Sequence, residues 1–153
     1  MTVSGQISIA NVRLGFRNFA GAEGPYNKKG DRNFVVFLEE QQAKDLESDG
    51  WNIKWPKERE EVDPDSDFEQ QPFLPVSFSF TNFPPKIVLV TDGNASRIGE
   101  DEVDMLDWAE IENADIVIRP YNWSVNGNSG VKAYLKALYV TLATDEFSSK
   151  YGI

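Results

Sequence analysis

The stretch that most constrains this chain is IRPYNWSVNGNSGVKAYLKALYVTL, residues 118–142. Two runs of strand-forming residues flank Asn-Gly-Asn-Ser-Gly, a strong short-range hairpin signal. A two-residue turn at Asn126–Gly127 sets Tyr121 opposite Lys132 and Arg119 opposite Tyr134. A turn at Gly127–Asn128 instead sets Trp123 opposite Lys132, Tyr121 opposite Tyr134 and Arg119 opposite Lys136. Opposed residues share a sheet face. Either register therefore collects Arg119, Tyr121, Trp123, Lys132, Tyr134 and Lys136 on one side. The other side holds Ile118, Pro120, Asn122, Val131, Ala133 and Leu135, and apart from Asn122 it reads as core. An odd loop would break the match, because a one-residue slip turns every side chain over.

The rest of the chain supplies partners for this hairpin. Residues 6–19 alternate at Ile7 and Ile9, then shift phase to Val12, Leu14 and Phe16. That predicts one long strand with a kink or bulge near Ala10–Asn11. Strands are also predicted at 32–39, 73–82 and 84–92, with a short one at 51–56 ended by Pro56. Residues 39–50 predict a short helix stopped at Gly50, and 93–115 a loop then a short helix with Val103, Leu106 and Ile111 inward. Residues 20–31 read as a Gly/Pro/Asn loop and 57–72 as a long acidic exposed loop, with a short tail at 143–153. Six or seven strands without βαβ alternation make a mainly antiparallel β domain spanning 1–153. The long first strand and the closing hairpin fit an OB-fold-like small Greek-key barrel with one or two short helices. A β-sandwich fits nearly as well.

Composition narrows the chemistry. The chain has neither cysteine nor histidine. No disulfide framework, thiolate zinc site or thiol nucleophile can be built, and the commonest general base is absent. The acidic run DPDSDFE lacks the glycine and the acid that a calcium loop needs at its sixth and twelfth positions. With no nucleophile beside a base, the expectation is a protein that is not an enzyme and needs no cofactor or metal. No basic-then-apolar leader opens the sequence and no apolar run approaches a membrane span, so a cytoplasmic protein without membrane contact is expected.

The net charge of −10 argues at first against nucleic acid, but it is unevenly distributed. Residues 39–69 hold twelve acidic and four basic side chains, and residues 100–115 hold eight acidic and none basic. The strand-rich segments between them are neutral to basic. Screening over roughly 8–10 Å lets a local basic face act on an acidic protein. Aromatics alternating with cations on one face suit a single nucleic-acid strand: bases stack on the rings and the cations meet phosphates. The same chemistry recurs at Arg13, Arg17, Phe19, Tyr26, Lys28, Lys29, Arg32 and Phe34, and a third patch is offered by Trp51, Lys54 and Trp55.

The segment ADIVIRPYNWSVNGNSGVKAYLKALYVTL, preceded by MLDWAEI, resembles a family of small bacteriophage single-stranded-DNA-binding proteins. RPYNW followed by SGVKAYLKALYVT carries most of the resemblance, which is best over about residues 86–151 and weaker over 6–56. It implies an OB-fold and the coating of exposed single strands in phage DNA replication and recombination, with phage replication proteins as further partners. A homodimer is compatible with it. Many single-strand binders end in a strongly acidic tail; here the end is ATDEFSSKYGI, and the acidic segment 57–72 is the candidate for that role. The alternative is an acidic interaction or inhibitor module that docks on a nucleic-acid-binding partner. A structural β-sandwich of a virion or tail is a further rival.

Overall fold

The computed structural model describes residues 5–23, 31–56, 71–81, 83–91 and 93–143. Lys28, Lys29 and Tyr26, most of the acidic segment 57–72 and nearly all of the tail lie outside the described residues. In chain order the elements are β1 (Ile7–Ile9), β2 (Arg13–Asn18), β3 (Arg32–Phe37), α1 (Glu40–Ser48), β4 (Phe73–Phe78), β5 (Lys86–Thr91), β6 (Asn94–Ile98), a 3₁₀ helix (Val103–Asp107), β7 (Ile111–Val125) and β8 (Asn128–Leu142).

The phase shift in the first segment has a structural cause. β1 pairs with β7 and β2 pairs with β3, so the two pieces lie on opposite edges of one sheet. Asn11, at φ 55°, turns the chain between them. The main path runs β1-β7-β8-β4-β3-β2, with β5 on the far part of β8 and β6 outside it. Counting β1 and β2 as one strand and leaving out β5 and β6, the order round the sheet is first, second, third, fifth, fourth and back to first. β4 and β8, the third and fifth, are parallel. This is the partly open Greek-key arrangement of an OB-fold. The ladder does not close; its edges meet where the Val12 N–H donates to the Ala114 carbonyl at 2.8 Å.

The core follows the period-two pattern. In β4, Leu74, Val76 and Phe78 are buried while Phe73, Pro75 and Ser77 turn outward. Ile118, Val131, Ala133 and Leu135 of the hairpin are buried beside them, as the parity argument required. Phe19 stacks on Phe34 with centroids 5.1 Å apart, and Phe78 tilts against both. Phe19, Phe34 and Trp51, singled out as candidates for binding, are thus buried core residues. Their burial is worth a few kcal/mol each, roughly 1.5–3 for a large apolar side chain.

Four expectations need correction. The sheet is mixed, with eight strands, because β8 pairs in parallel with both β4 and β5. The strand expected at 51–56 reduces to a single bridge, Lys54 with Phe73. The loop and helix expected over 93–115 divide into β6, the short 3₁₀ helix and the start of β7. β6 has only Ile98 buried, so no alternation announces it; pairing with β5 through the turn at Gly93 makes it a strand. Val103 and Leu106 are inward as expected, but Ile111 belongs to β7, opposite Leu142. Finally, Phe16 does not follow Val12 and Leu14 inward. A register shift between Gly15 and Asn18 leaves it 74% exposed at φ 44°.

Candidate nucleic-acid interface

The hairpin closes through Asn126 and Gly127, at φ 52° and 81°. Both central residues are left-handed, the geometry of a two-residue turn whose twist matches its strands. Val125 then faces Asn128, Trp123 faces Gly130, Tyr121 faces Lys132 and Arg119 faces Tyr134. Of the two even registers, the structure has the first.

On the outer face these residues make a layered contact set. The Arg119 guanidinium lies 5.1 Å from the Tyr134 ring centroid, and the Lys132 ammonium lies 5.2 Å from the same ring. Tyr121 meets Tyr134 edge to face, with centroids 5.8 Å apart. Cations near ring faces are held by the ring quadrupole, so Tyr134 organises two positive charges while staying half-buried. Tyr121 is 52% exposed and Trp123 38%. Trp123 lies over Gly130, where an added Cβ would come within 2.9 Å of the indole. Glycine is therefore the residue that lets this ring lie against its partner strand.

One residue escaped the sequence reading. Phe83 is 79% exposed, at φ 50°, and its ring lies 5.2 Å from the Arg119 guanidinium. With Phe78, Ser79, Arg119, Tyr121, Tyr134 and Leu135 it lines a groove of about 320 Å³. The available signal was an aromatic in TNFPP, a proline-bounded turn where no strand can bury it.

Lys136 leaves this set. Ile118 faces Leu135 but Val117 faces Ala137, so Lys136 is the extra residue of a bulge. Its ammonium donates to the Gln6 side chain at 2.5 Å, near the amino-terminal strand. The tip of the hairpin is open to solvent: residues 121–129 are all exposed, Asn122 included. The β4–β8 ladder spans only Val76–Ser77, immediately after Pro75, which has no N–H to offer a neighbour.

The other predicted cations separate by what their heads do. Arg17 donates to the carbonyls of Leu106 and Ala109, each at 2.8 Å, and so ties β2 to the 3₁₀ helix. Asp107 accepts from the Phe19 and Ala20 N–H groups at the same junction. Arg32 donates to the Phe19 carbonyl at 2.5 Å, pairs with Glu100 at 3.2 Å and lies over the Phe80 ring. Its side chain is only 12% exposed. Both arginines brace the fold and stand apart from the strip. Trp55 donates its indole N–H to Glu47 at 2.6 Å and borders a groove with Glu39 and Glu40, surroundings that repel phosphate. Arg13 and Lys54 are exposed, paired across strands with Phe37 and Phe73. Among the described residues no group of acidic side chains is arranged to hold a metal ion, and no helix is long and apolar enough to cross a membrane.

The family model described as "Putative phage ssDNA-binding domain" matches residues 2–153. No curated protein sequence matches the chain. Among solved structures, the single-stranded DNA-binding protein of bacteriophage Enc34 aligns with a TM-score of 0.56 at 14% identity, covering 96% of this chain and 90% of that one. Its C-terminal truncation aligns at 0.58 and 13% identity, covering 92% and 87%. The same protein in complex with ssDNA aligns at 0.57 and 14% identity, covering 94% and 89%. At these identities the likeness is one of fold.

Proposed function

The chain belongs to the phage ssDNA-binding domain family, and from that premise we propose that it coats single-stranded DNA with little sequence preference and without catalysis. The observation that carries the reading is the Tyr134 assembly. One ring is flanked by Arg119 and Lys132, with Tyr121 against its edge and Phe83 across the groove. Flat exposed rings accept any base, because every base has a π face, and the adjacent cations meet the phosphates. Arg119, Tyr121, Trp123, Lys132 and Tyr134, with Phe83, form the primary surface. Lys28 and Lys29, which lie outside the described residues, add charge. Arg17, Arg32 and Trp55 drop out of this reading, and Lys136 stands at its margin.

The biological setting that fits is phage DNA replication and recombination, where exposed single strands need cover. Segment 57–72, with its excess of acids, serves as the recruiting or competing element that an acidic tail supplies elsewhere. The test is a titration of labelled poly-pyrimidine single strand against duplex of the same length at two salt concentrations. Single strand should bind more tightly and lose affinity as salt rises. Absence of oligonucleotide binding, together with tolerance of Lys132→Ala, would return the chain to the alternative of an acidic module docking on a basic partner.

A further inference from the structure

Trp108 is the most exposed large apolar side chain among the described residues, at 84%, and it belongs to neither the core nor the hairpin strip. Its neighbours show how it is held outward. Val103 and Leu106 are buried on the inner side of the 3₁₀ helix. The Trp108 and Ala109 N–H groups both donate to the Met105 carbonyl, at 3.2 Å and 3.1 Å. Arg17 donates to the Leu106 and Ala109 carbonyls, and Asp107 accepts from the Phe19 and Ala20 N–H groups. The backbone is therefore anchored on both sides of Trp108, and the indole is presented from a fixed platform. Residues three apart eclipse each other on a 3₁₀ turn. Met105, 37% exposed, thus lies on the same side as Trp108.

The surroundings are acidic. Residues 100–115 hold eight acidic side chains and no basic one. Asp101, Glu102, Asp104, Glu110 and Glu112 are exposed. Directly after Trp108, Ala109 and Glu110 open onto a groove of about 400 Å³ between β2 and the start of β7, walled in part by Val12, Leu14 and Ile111. Arg13 and Arg17 also line it, but Arg17 is committed to its two carbonyls. The five exposed acids keep the patch net negative. Single exposed hydrophobics are ordinary on a protein surface. A rigidly held tryptophan beside a methionine and a partly apolar groove is more than that, and tryptophan is enriched among the residues that dominate interface energy.

The acids decide the occupant. They repel phosphate, and they disfavour a second copy, whose net charge is −10. They favour a basic protein segment, whose lysine or arginine can lie over the indole face, the best cation–π acceptor among the aromatic side chains. The same charges steer the encounter and select the partner. The place also suits a second ligand. β7 begins three residues after Trp108 and carries the hairpin strip at its other end. Ile111 and Tyr121 are ten residues apart, about 33 Å along the strand at the usual rise. A partner on Trp108 leaves the strip uncovered.

We propose that Trp108 and Met105, with the adjoining groove, form a docking surface for a basic segment of another protein, one whose lysines or arginines surround a large apolar side chain. This does not depend on the single-strand reading. It differs from the acidic-module alternative in leaving the hairpin to its own ligand.

The test selects random dodecapeptides on the full chain and retains those that no longer bind Trp108→Ala. That ring is so exposed that its removal should leave the urea midpoint unchanged. The retained peptides should carry net positive charge and at least one large apolar residue. Met105→Ala should weaken a labelled representative about five-fold or more in anisotropy titrations. Asp104→Asn with Glu110→Gln should weaken it as well and flatten its salt dependence. The indole N–H signal that is missing from the Trp108→Phe spectrum should shift when that peptide is added, and should not shift with dT20. If no selected peptide depends on Trp108, or if the dependent ones are net acidic, the proposal is overturned. A shift of the Trp108 signal by dT20 would place the ring on the nucleic-acid path and overturn it too. So would a change in the sedimentation of the chain alone on Trp108→Ala, which would make the patch a contact between copies.

Discussion

Tyr134 and Arg17 illustrate how opposite roles arise from similar sequence signals. Tyr134 holds two cations near its ring and meets a second tyrosine edge to face. Tyr134→Ala should cost about 1–3 kcal/mol of single-strand affinity, read by fluorescence anisotropy, with the urea midpoint nearly unchanged. Loss of folding in place of loss of binding would return the ring to the core. Arg17 looked like a phosphate contact but donates to the carbonyls of Leu106 in the 3₁₀ helix and of Ala109 just after it. Hydrogen bonds from charged groups are worth about 1.5–3 kcal/mol. Arg17→Ala should therefore lower stability on that order in urea unfolding. Affinity measured on the folded fraction should barely move.

At the scale of elements, the β7–β8 hairpin depends on its turn. Asn126 and Gly127 both adopt positive φ, and glycine does so without strain. Gly127→Val should destabilise the arm by about 1 kcal/mol or more, because a β-branched residue is a genuine outlier there. Since residues 121–129 are exposed, global unfolding should change less than hydrogen exchange at 121–129. A uniform loss of stability across the whole chain would contradict an independent arm. Lys136 carries the companion lesson. Alternation predicted its face, yet the bulge at Val117–Ile118 moved it out of register and toward Gln6. Lys136→Ala should weaken single-strand binding less than Lys132→Ala does, in the same titration.

For the whole molecule the issue is how an acidic chain holds an anionic polymer. Acidic residues dominate 39–69 and 100–115, while the cations of the hairpin strip, Arg119 and Lys132, belong to β7 and β8. Binding should fall with salt, with a log–log slope of about −0.7 for each phosphate neutralised on single strands. Replacing Lys132 should flatten that slope by about 0.7, whereas replacing Tyr121 should lower affinity at every salt concentration without flattening it. Deleting 57–70 should change DNA affinity or partner recruitment; if neither moves, the segment is only a linker.

What the sequence determined by itself is local in origin. Period-two alternation and an Asn-Gly turn need only neighbouring residues, so they indicated the hairpin and, given an even loop, the burial of Ile118, Val131, Ala133 and Leu135. The change of phase at Ala10–Asn11 likewise marked where β1 gives way to β2. The tertiary structure decided what depends on residues far apart in the chain. Arg17 meets Leu106, Arg32 meets Glu100 and Lys136 meets Gln6, and these contacts sort cations that look alike in sequence into braces and surface groups. β6 is a strand because β5 lies beside it. Phe16 faces outward because bulge geometry overrides its hydrophobicity and its place in the alternation.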